Sequence, residues 1–139
     1  MSAENVELVR TASSLVTASC QAGEASEDLL AMCTPEIRVD ASRRVFNPDV
    51  YEGADGMRRM VREIHDAWEG FAEDTEELVD AGEKVVSLHT ISGRGRSSGA
   101  EVRSGGGLVW TVREGRIVLV EVFADREEAL RSAGLDTAG

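Results

Sequence analysis

The sequence predicts an α+β fold in which a curved antiparallel sheet wraps around a long helix, preceded by N-terminal helices. Three observations predict this class: helical periodicity through the first third of the chain, an amphipathic segment near residues 54–69, and long strands over residues 84–123. A sheet that wraps around a helix forms a cone with a pocket inside it. The sequence therefore points to a site for a small molecule.

Length and charge limit the classes of partner. A chain of 139 residues is one domain by the usual scaling, and we expect order from about residue 4 to residue 135. With 26 acidic and 15 basic residues the net charge is −11, which repels polyanions, so neither nucleic acid nor an anionic membrane is an expected partner. No apolar run approaches the roughly 18 residues of a spanning helix, and the N-terminus is acidic where a signal peptide is basic. We expect a cytoplasmic protein.

Three helices are predicted in the first half of the chain. Apolar residues recur at helical spacing through the first 22 residues, and this helix should end near Gly23. Ser26 is the expected N-cap of a short second helix, which Pro35 closes. The third helix should run from about Ala54 to Glu69, and its apolar face carries Met57, Met60, Val61, Ile64 and Trp68.

The strands follow from alternation and turn residues. Residues 37–42 alternate apolar and polar side chains, which indicates a short strand, and a loop with a turn at Asn47-Pro48 follows it. A polar strand is expected from Phe71 to Val79, and three longer strands come after it. Gly105-Gly106-Gly107 lacks the lysine and the capped helix of a phosphate loop. The acidic segment from Asp125 should start a last helix that covers one end of the cone.

The cysteines and histidines do not form a metal or redox pattern. Cys20 and Cys33 lie in predicted helices without C-x-x-C spacing, so we expect both to be buried as small apolar residues. His65 is expected on the solvated face of the third helix, whereas His89 lies within a strand. Because the two histidines belong to distant elements, and no cofactor motif is present, we expect neither a metal nor a cofactor.

Four strings of the chain have a characteristic order and spacing. They are Val50-Tyr51-Glu52-Gly53-x-x-Gly56, residues 80–86, residues 110–117 and residues 129–135. In these strings the chain resembles the SnoaL-like, or nuclear transport factor 2-like, group of the ketosteroid isomerase superfamily over nearly its whole length. This resemblance implies a cystatin-like α+β barrel, dimerisation through the outer face of the sheet, and either catalysis on small hydrophobic molecules or their binding.

The resemblance also implies that two known chemistries of the superfamily are incomplete in this chain. Ketosteroid isomerases place a tyrosine and a carboxylic acid against the nascent enolate, but the matching positions here hold Val16 and Leu108 or a neighbouring glycine. Limonene-type epoxide hydrolases use two carboxylates and an arginine, and the matching strand positions here are His89, Ile91 and Val122.

Asp40 and His89 are the candidate catalytic residues, because a carboxylate that orients an imidazole is a common base in proton abstraction. The strand register leaves a second possibility for Asp40. If Val39 and Ala41 face the pocket, Asp40 faces away and pairs with Arg43 or Arg44. The candidate substrate-binding residues are Arg43, Tyr51, Trp68 and Trp110.

Two functions remain open. The chain is either an isomerase, cyclase or hydrolase that acts on a small hydrophobic molecule by general acid/base catalysis, or a non-catalytic ligand-binding or dimerisation module. A homodimer through the outer face of the sheet is expected, because both faces of the last strand, over residues 118–123, are largely apolar.

Overall fold

The computed structural model describes residues 2–44 and 48–135. These residues form four α-helices and six β-strands. In chain order they are α1 (Ser2–Ala22), α2 (Glu27–Ala31), β1 (Cys33–Asp40), β2 (Val50–Glu52), α3 (Gly53–Ala67), β3 (Trp68–Ala81), β4 (Lys84–Gly95), β5 (Glu101–Arg113), β6 (Arg116–Phe123) and α4 (Arg126–Ser132).

The strands form one curved, open sheet in the order β2-β1-β6-β5-β4-β3. All neighbouring pairs are antiparallel except β1 and β6, which run parallel. Side chains from α1 and α3 and from the inner face of the sheet make one apolar core, which includes Val9, Met57 and Val61. The predicted α+β class and the wrapping of the sheet around a helix are confirmed.

The first helix covers part of one sheet edge. This edge is β3, beyond which no strand lies among the described residues. The hydroxyl of Thr17 accepts a hydrogen bond from the backbone N–H of Glu73 and donates one to its carbonyl, at 3.2 and 3.3 Å. The amide of Gln21 donates to the carbonyl of Phe71 at 2.9 Å. Side chains of α1 thus take the place of a seventh strand along this stretch.

The last helix packs on the outer face of the sheet. The sequence had predicted that it would cover one end of the cone. Ala129 of α4 joins Val86, Leu88, Val109 and Phe123 in a second apolar cluster. Asp125 caps the helix by accepting from the backbone N–H groups of Glu127 and Glu128. The reason is alternation: β4 and β5 bury apolar residues on both faces, so their outer face needs a cover.

Three boundaries differ from the prediction. Cys33 and Pro35 lie in β1, not at the end of the second helix, and the pairing of β1 with β6 is irregular between Cys33 and Arg38, where Pro35 donates no ladder hydrogen bond. Trp68 starts β3 with an extended backbone, so it does not belong to the helix. Val50–Glu52 forms a strand within the predicted loop. The predicted turn at Asn47-Pro48 falls partly outside the described residues.

Within residues 2–44 and 48–135, no helix combines the length and the apolar character needed to cross a membrane.

Candidate functional site

A cavity of about 290 Å³ lies between the inner face of the sheet and α3. Its volume is near the lower end of the range for ligand pockets in proteins. The wall is predominantly apolar and includes residues from α1, α3 and all six strands. Its polar or ionisable members are Cys33, Arg44, Tyr51, Glu63, Glu73, His89, Ser92 and Ser104, together with the two indoles of Trp68 and Trp110.

His89 projects into this cavity from the middle of β4. It lies opposite Gly106 of β5, and a Cβ at Gly106 would be 3.0 Å from the imidazole Nε2 and 2.8 Å from the carbonyl oxygen of Phe123. The glycine therefore provides the space for the ring. Burial, followed by the nearby positive charge of Arg126, lowers the pKa of His89 from 6.5 to about 4. The imidazole is neutral at neutral pH, and its Nδ1 is buried without a hydrogen-bond partner among the described residues.

Glu73 of β3 is a second ionisable group in the cavity wall, and the sequence did not single it out. Although the residue as a whole is partly exposed, its Oε1 is buried and has no hydrogen-bond partner among the described residues. Burial raises the pKa of this carboxyl group from 4.5 to about 7. In the pairing of β3 with β4, Thr75 lies opposite His89 and Glu73 lies opposite Ile91. Glu73 and His89 are therefore diagonal neighbours on adjacent strands, a relation that places two residues roughly 7 Å apart.

One feature could have pointed to Glu73 from the sequence. It stands two residues after Phe71, which is buried and faces the core, so alternation puts both side chains on the inner face of β3. Five other acidic residues within β3, at positions 69, 74, 76, 77 and 80, concealed it. Composition describes the whole strand as polar and does not reveal which carboxylate points inward.

A hydrogen-bonded chain of polar side chains lies along one part of the wall. The Tyr51 hydroxyl donates to Glu63 Oε1 at 2.8 Å and accepts from a guanidinium N–H of Arg44 at 2.9 Å. Burial and the bond to Glu63 raise the pKa of Tyr51. Arg59 stacks 4.5 Å above the Tyr51 ring and bonds to Glu63 and Asp49. Since Glu63 is half exposed, this chain connects the cavity with the surface.

Both tryptophans predicted to bind substrate line the cavity. Trp110 is buried, and its indole N–H donates to the hydroxyl of Ser87 at 2.8 Å, which fixes the ring. Trp68 and Phe71 line the cavity from the first residues of β3, the strand that also carries Glu73. The cavity thus has aromatic walls beside a carboxylate and an imidazole.

Asp40 and Arg43 are absent from the cavity wall, so the pairing of Asp40 with His89 is not observed. Val39 and Ala41 are buried, and Asp40 lies on the opposite face of β1. Its carboxylate accepts from the hydroxyl and the backbone N–H of Ser42, at 2.6 and 3.0 Å, and lies 3.7 Å from Arg43. The bonds from Ser42 lower the pKa of Asp40. This is the second of the two registers considered from the sequence.

The two cysteines and the second histidine, His65, make packing or hydrogen-bond contacts within the fold. Cys20 and Cys33 are free and buried, as predicted, and burial raises the pKa of their thiols to about 12 and about 11. His65 is not on a solvated face, since its Nδ1 lies 3.1 Å from the Cys20 carbonyl oxygen and its ring packs beside Gly23. In the described part of the chain, no three His, Cys, Asp or Glu side chains are placed to hold a metal ion.

The sequence of residues 16–120 matches the family model of the SnoaL-like domain. The chain belongs to this family. The resemblance noted from the sequence is therefore confirmed, and the SnoaL-like residues include most of the cavity wall. No curated protein matches the chain in sequence.

Solved structures show the same fold at low sequence identity. A nuclear transport factor 2-like protein from Burkholderia xenovorans LB400 superposes with a TM-score of 0.73 at 19% identity, over 96% of this chain and 98% of that one. TerC, co-crystallised with polyporic acid, gives 0.71 at 16% identity, over 94% and 97% of the two chains. A protein with a ketosteroid isomerase-like fold from Catenulispora acidiphila, in complex with trimethylamine, gives 0.63 at 11%, over 78% and 81%.

The cavity also shows what occupies the positions that the resemblance aligned. Val16 and Leu108, with the nearby Gly106, line it without a side-chain donor at the positions that the resemblance aligned with the two donors of ketosteroid isomerases. His89, Ile91 and Val122 line it at the positions aligned with the epoxide hydrolase residues. This SnoaL-like domain therefore places a different polar set in its cavity wall, which includes His89 and Glu73.

Proposed function

We propose that this SnoaL-like domain binds a small hydrophobic molecule in the cavity and that His89 moves a proton on that molecule. The observation that carries the proposal is a neutral imidazole with an unpartnered Nδ1 in a largely apolar wall. A neutral imidazole can accept a proton, and a wall that excludes water strengthens the polar contacts that direct it. The structures solved with polyporic acid and with trimethylamine support the view that this fold holds small molecules.

The chemistry that fits is an isomerisation or ring closure rather than a net release of protons. His89 would take a proton from a carbon beside a carbonyl group, and the electron pair of that C–H bond would move toward the carbonyl oxygen. Because burial disfavours the imidazolium form of His89, the proton should return to another atom of the same molecule. A cycle of this kind leaves the protein unchanged and needs no cofactor.

Replacing His89 with glutamine tests the proposal. Small enones, lactones and epoxides would be screened for binding by tryptophan fluorescence and for conversion by NMR. For a converted compound, His89→Gln should lower kcat by about 100-fold or more while binding remains within about threefold, since general bases contribute roughly that factor. His65→Gln is the matched control, because His65 is the other histidine and is not part of the cavity wall.

Asp40→Asn decides between the two candidates that the sequence put forward. Asp40 is bonded to Ser42 outside the cavity wall, so this variant should convert the compound at the wild-type rate. Loss of conversion in Asp40→Asn with normal conversion in His89→Gln would reject His89 as the base and return that role to Asp40.

Non-catalytic binding is the second candidate function. The apolar residues at Val16 and Leu108 favour it, because these described positions, which the resemblance aligns with the two oxyanion donors of ketosteroid isomerases, carry no side-chain donor. Compounds that bind to the wild type and His89→Gln alike, with no conversion by either, would establish this function.

We also propose that the protein forms a homodimer through the part of the outer sheet face that α4 leaves uncovered. Leu119 and Glu121 of β6, which pair with Arg38 and Asp40 of β1, are only partly buried there. An exposed apolar strand surface of this kind marks an interface more often than free surface. Light scattering at micromolar concentration should give the mass of two chains, and a mass of one chain would contradict the proposal.

A further inference from the structure

We propose that the cavity selects a ligand with a protonated amino group, and that the carboxylate of Glu73 is the counter-ion for this ammonium. The inference rests on the proposed small-molecule function and names the class of molecule. It concerns Glu73, whose role in that function is to bind and position the ligand.

The carboxyl group of Glu73, a residue of the cavity wall, has an acceptor oxygen without a partner among the described residues. This atom, Oε1, is buried, and burial shifts the pKa of the carboxyl group upward. Leaving a buried carboxylate oxygen unpaired is costly. A ligand that brings both a positive charge and an N–H donor removes that cost, whereas an apolar ligand leaves it in place.

The charges around the cavity leave room for one cation. Arg44 bonds to the Tyr51 hydroxyl, which in turn bonds to Glu63. Arg59 pairs with both Glu63 and Asp49. Two positive and two negative charges therefore share that network. With Glu73 ionised, the wall therefore carries a formal charge of −1 from these groups, which a monocation neutralises. The titratable groups that face the cavity or Glu73 from other elements are Cys20, Cys33, Arg44, Tyr51, Glu63 and His89.

The neighbours of Glu73 are also suited to a cation. Phe71 and Trp68 lie on the same strand and line the same cavity, and aromatic faces attract ammonium groups through the ring quadrupole. His89 is neutral at neutral pH because its pKa is about 4, so it does not repel a cation. The net charge of −11 on the chain raises the local concentration of cations rather than anions.

A matched pair of ligands tests the inference. Cyclohexylmethylamine and cyclohexylmethanol have the same carbon skeleton and differ in the charged group. Binding would be followed by tryptophan fluorescence and calorimetry. At about pH 8, the wild type should bind the amine at least about tenfold more tightly than the alcohol, a preference of about 1.4 kcal/mol. In Glu73→Gln the two affinities should lie within about twofold of each other.

Glu77→Gln is the matched control, because it removes the same charge from an exposed position on the same strand. It should keep the wild-type preference for the amine. The wild type alone provides an independent measurement, in case Glu73→Gln folds poorly. Its affinity for the amine should rise from about pH 6 to about pH 8, as the carboxyl group ionises, whereas its affinity for the alcohol should not rise.

Several results would overturn the inference while leaving the proposed function intact. They are equal or tighter binding of the alcohol by the wild type, an amine preference that survives in Glu73→Gln, and binding of neutral carbonyl compounds that strengthens toward acid pH. The last result would make Glu73 a hydrogen-bond donor in its protonated form. If no compound of any class binds, small-molecule binding itself is wrong, and the inference falls with it.

Discussion

Glu73→Gln should make the protein more stable at neutral and alkaline pH. The fold holds the proton on this carboxyl group up to a pKa of about 7, against 4.5 for the ordinary group. The folded state therefore binds more protons than the unfolded state between these values, and the free energy of unfolding falls as pH rises through this window. The free energy of unfolding falls by about 3 kcal/mol in total, at roughly 1.4 kcal/mol for each pH unit between the two pKa values. This fall is complete above about pH 7.

Glutamine has nearly the shape of glutamate and does not ionise, so the variant escapes this loss. The difference in unfolding free energy between Glu73→Gln and the wild type should increase by up to about 3 kcal/mol between about pH 4.5 and about pH 8. Urea denaturation followed by circular dichroism at both pH values measures it. Glu77→Gln should show no such increase. A difference between Glu73→Gln and the wild type that is the same at both pH values would refute the reasoning, because burial of the charge would then cost nothing.

Three further predictions concern the neighbouring residues. Because the folded pKa of His89 is about 4 against an ordinary 6.5, the wild type should lose about 3 kcal/mol as pH falls through this window, and His89→Gln should lose less on acid titration. Gly106→Ala should cost about 1–3 kcal/mol in thermal unfolding, since its methyl group meets Phe123 and His89, whereas Gly105→Ala meets only the flexible Arg126 side chain; equal costs would contradict this. Leu119→Glu should halve the mass measured by light scattering, and an unchanged mass would exclude this face as the interface.

The sequence predicted the elements well and some of their ends poorly. The apolar stripe of α3 continued in phase to Trp68, yet Trp68 has a backbone of φ −129° and ψ 140° and starts β3. Periodicity cannot locate a helix end when the first inward residue of the next strand falls on the same phase. Pro35 was expected to end a helix, but an irregular stretch of pairing between β1 and β6 accommodates it within a strand.

The sequence predicted several of the residues that line the cavity. His89, Tyr51, Trp68 and Trp110 were expected at the cavity and all line it. Glu73 was not, because its environment depends on the partners of β3: α1 on one side, and β4 on the other. A carboxylate changes its chemistry when neighbours remove it from water, and those neighbours are distant in the sequence.

The hydrogen bonds from α1 to β3 have a consequence for self-association. An uncovered edge strand offers N–H and C=O groups to any other strand, which is a route to fibres and domain swapping. Thr17 and Gln21 occupy these groups at Glu73 and Phe71, and farther along β3 the acidic side chains of Glu76, Glu77 and Asp80 repel a second copy of the same edge. The first helix therefore blocks part of this edge against pairing with another chain, and its removal should increase aggregation.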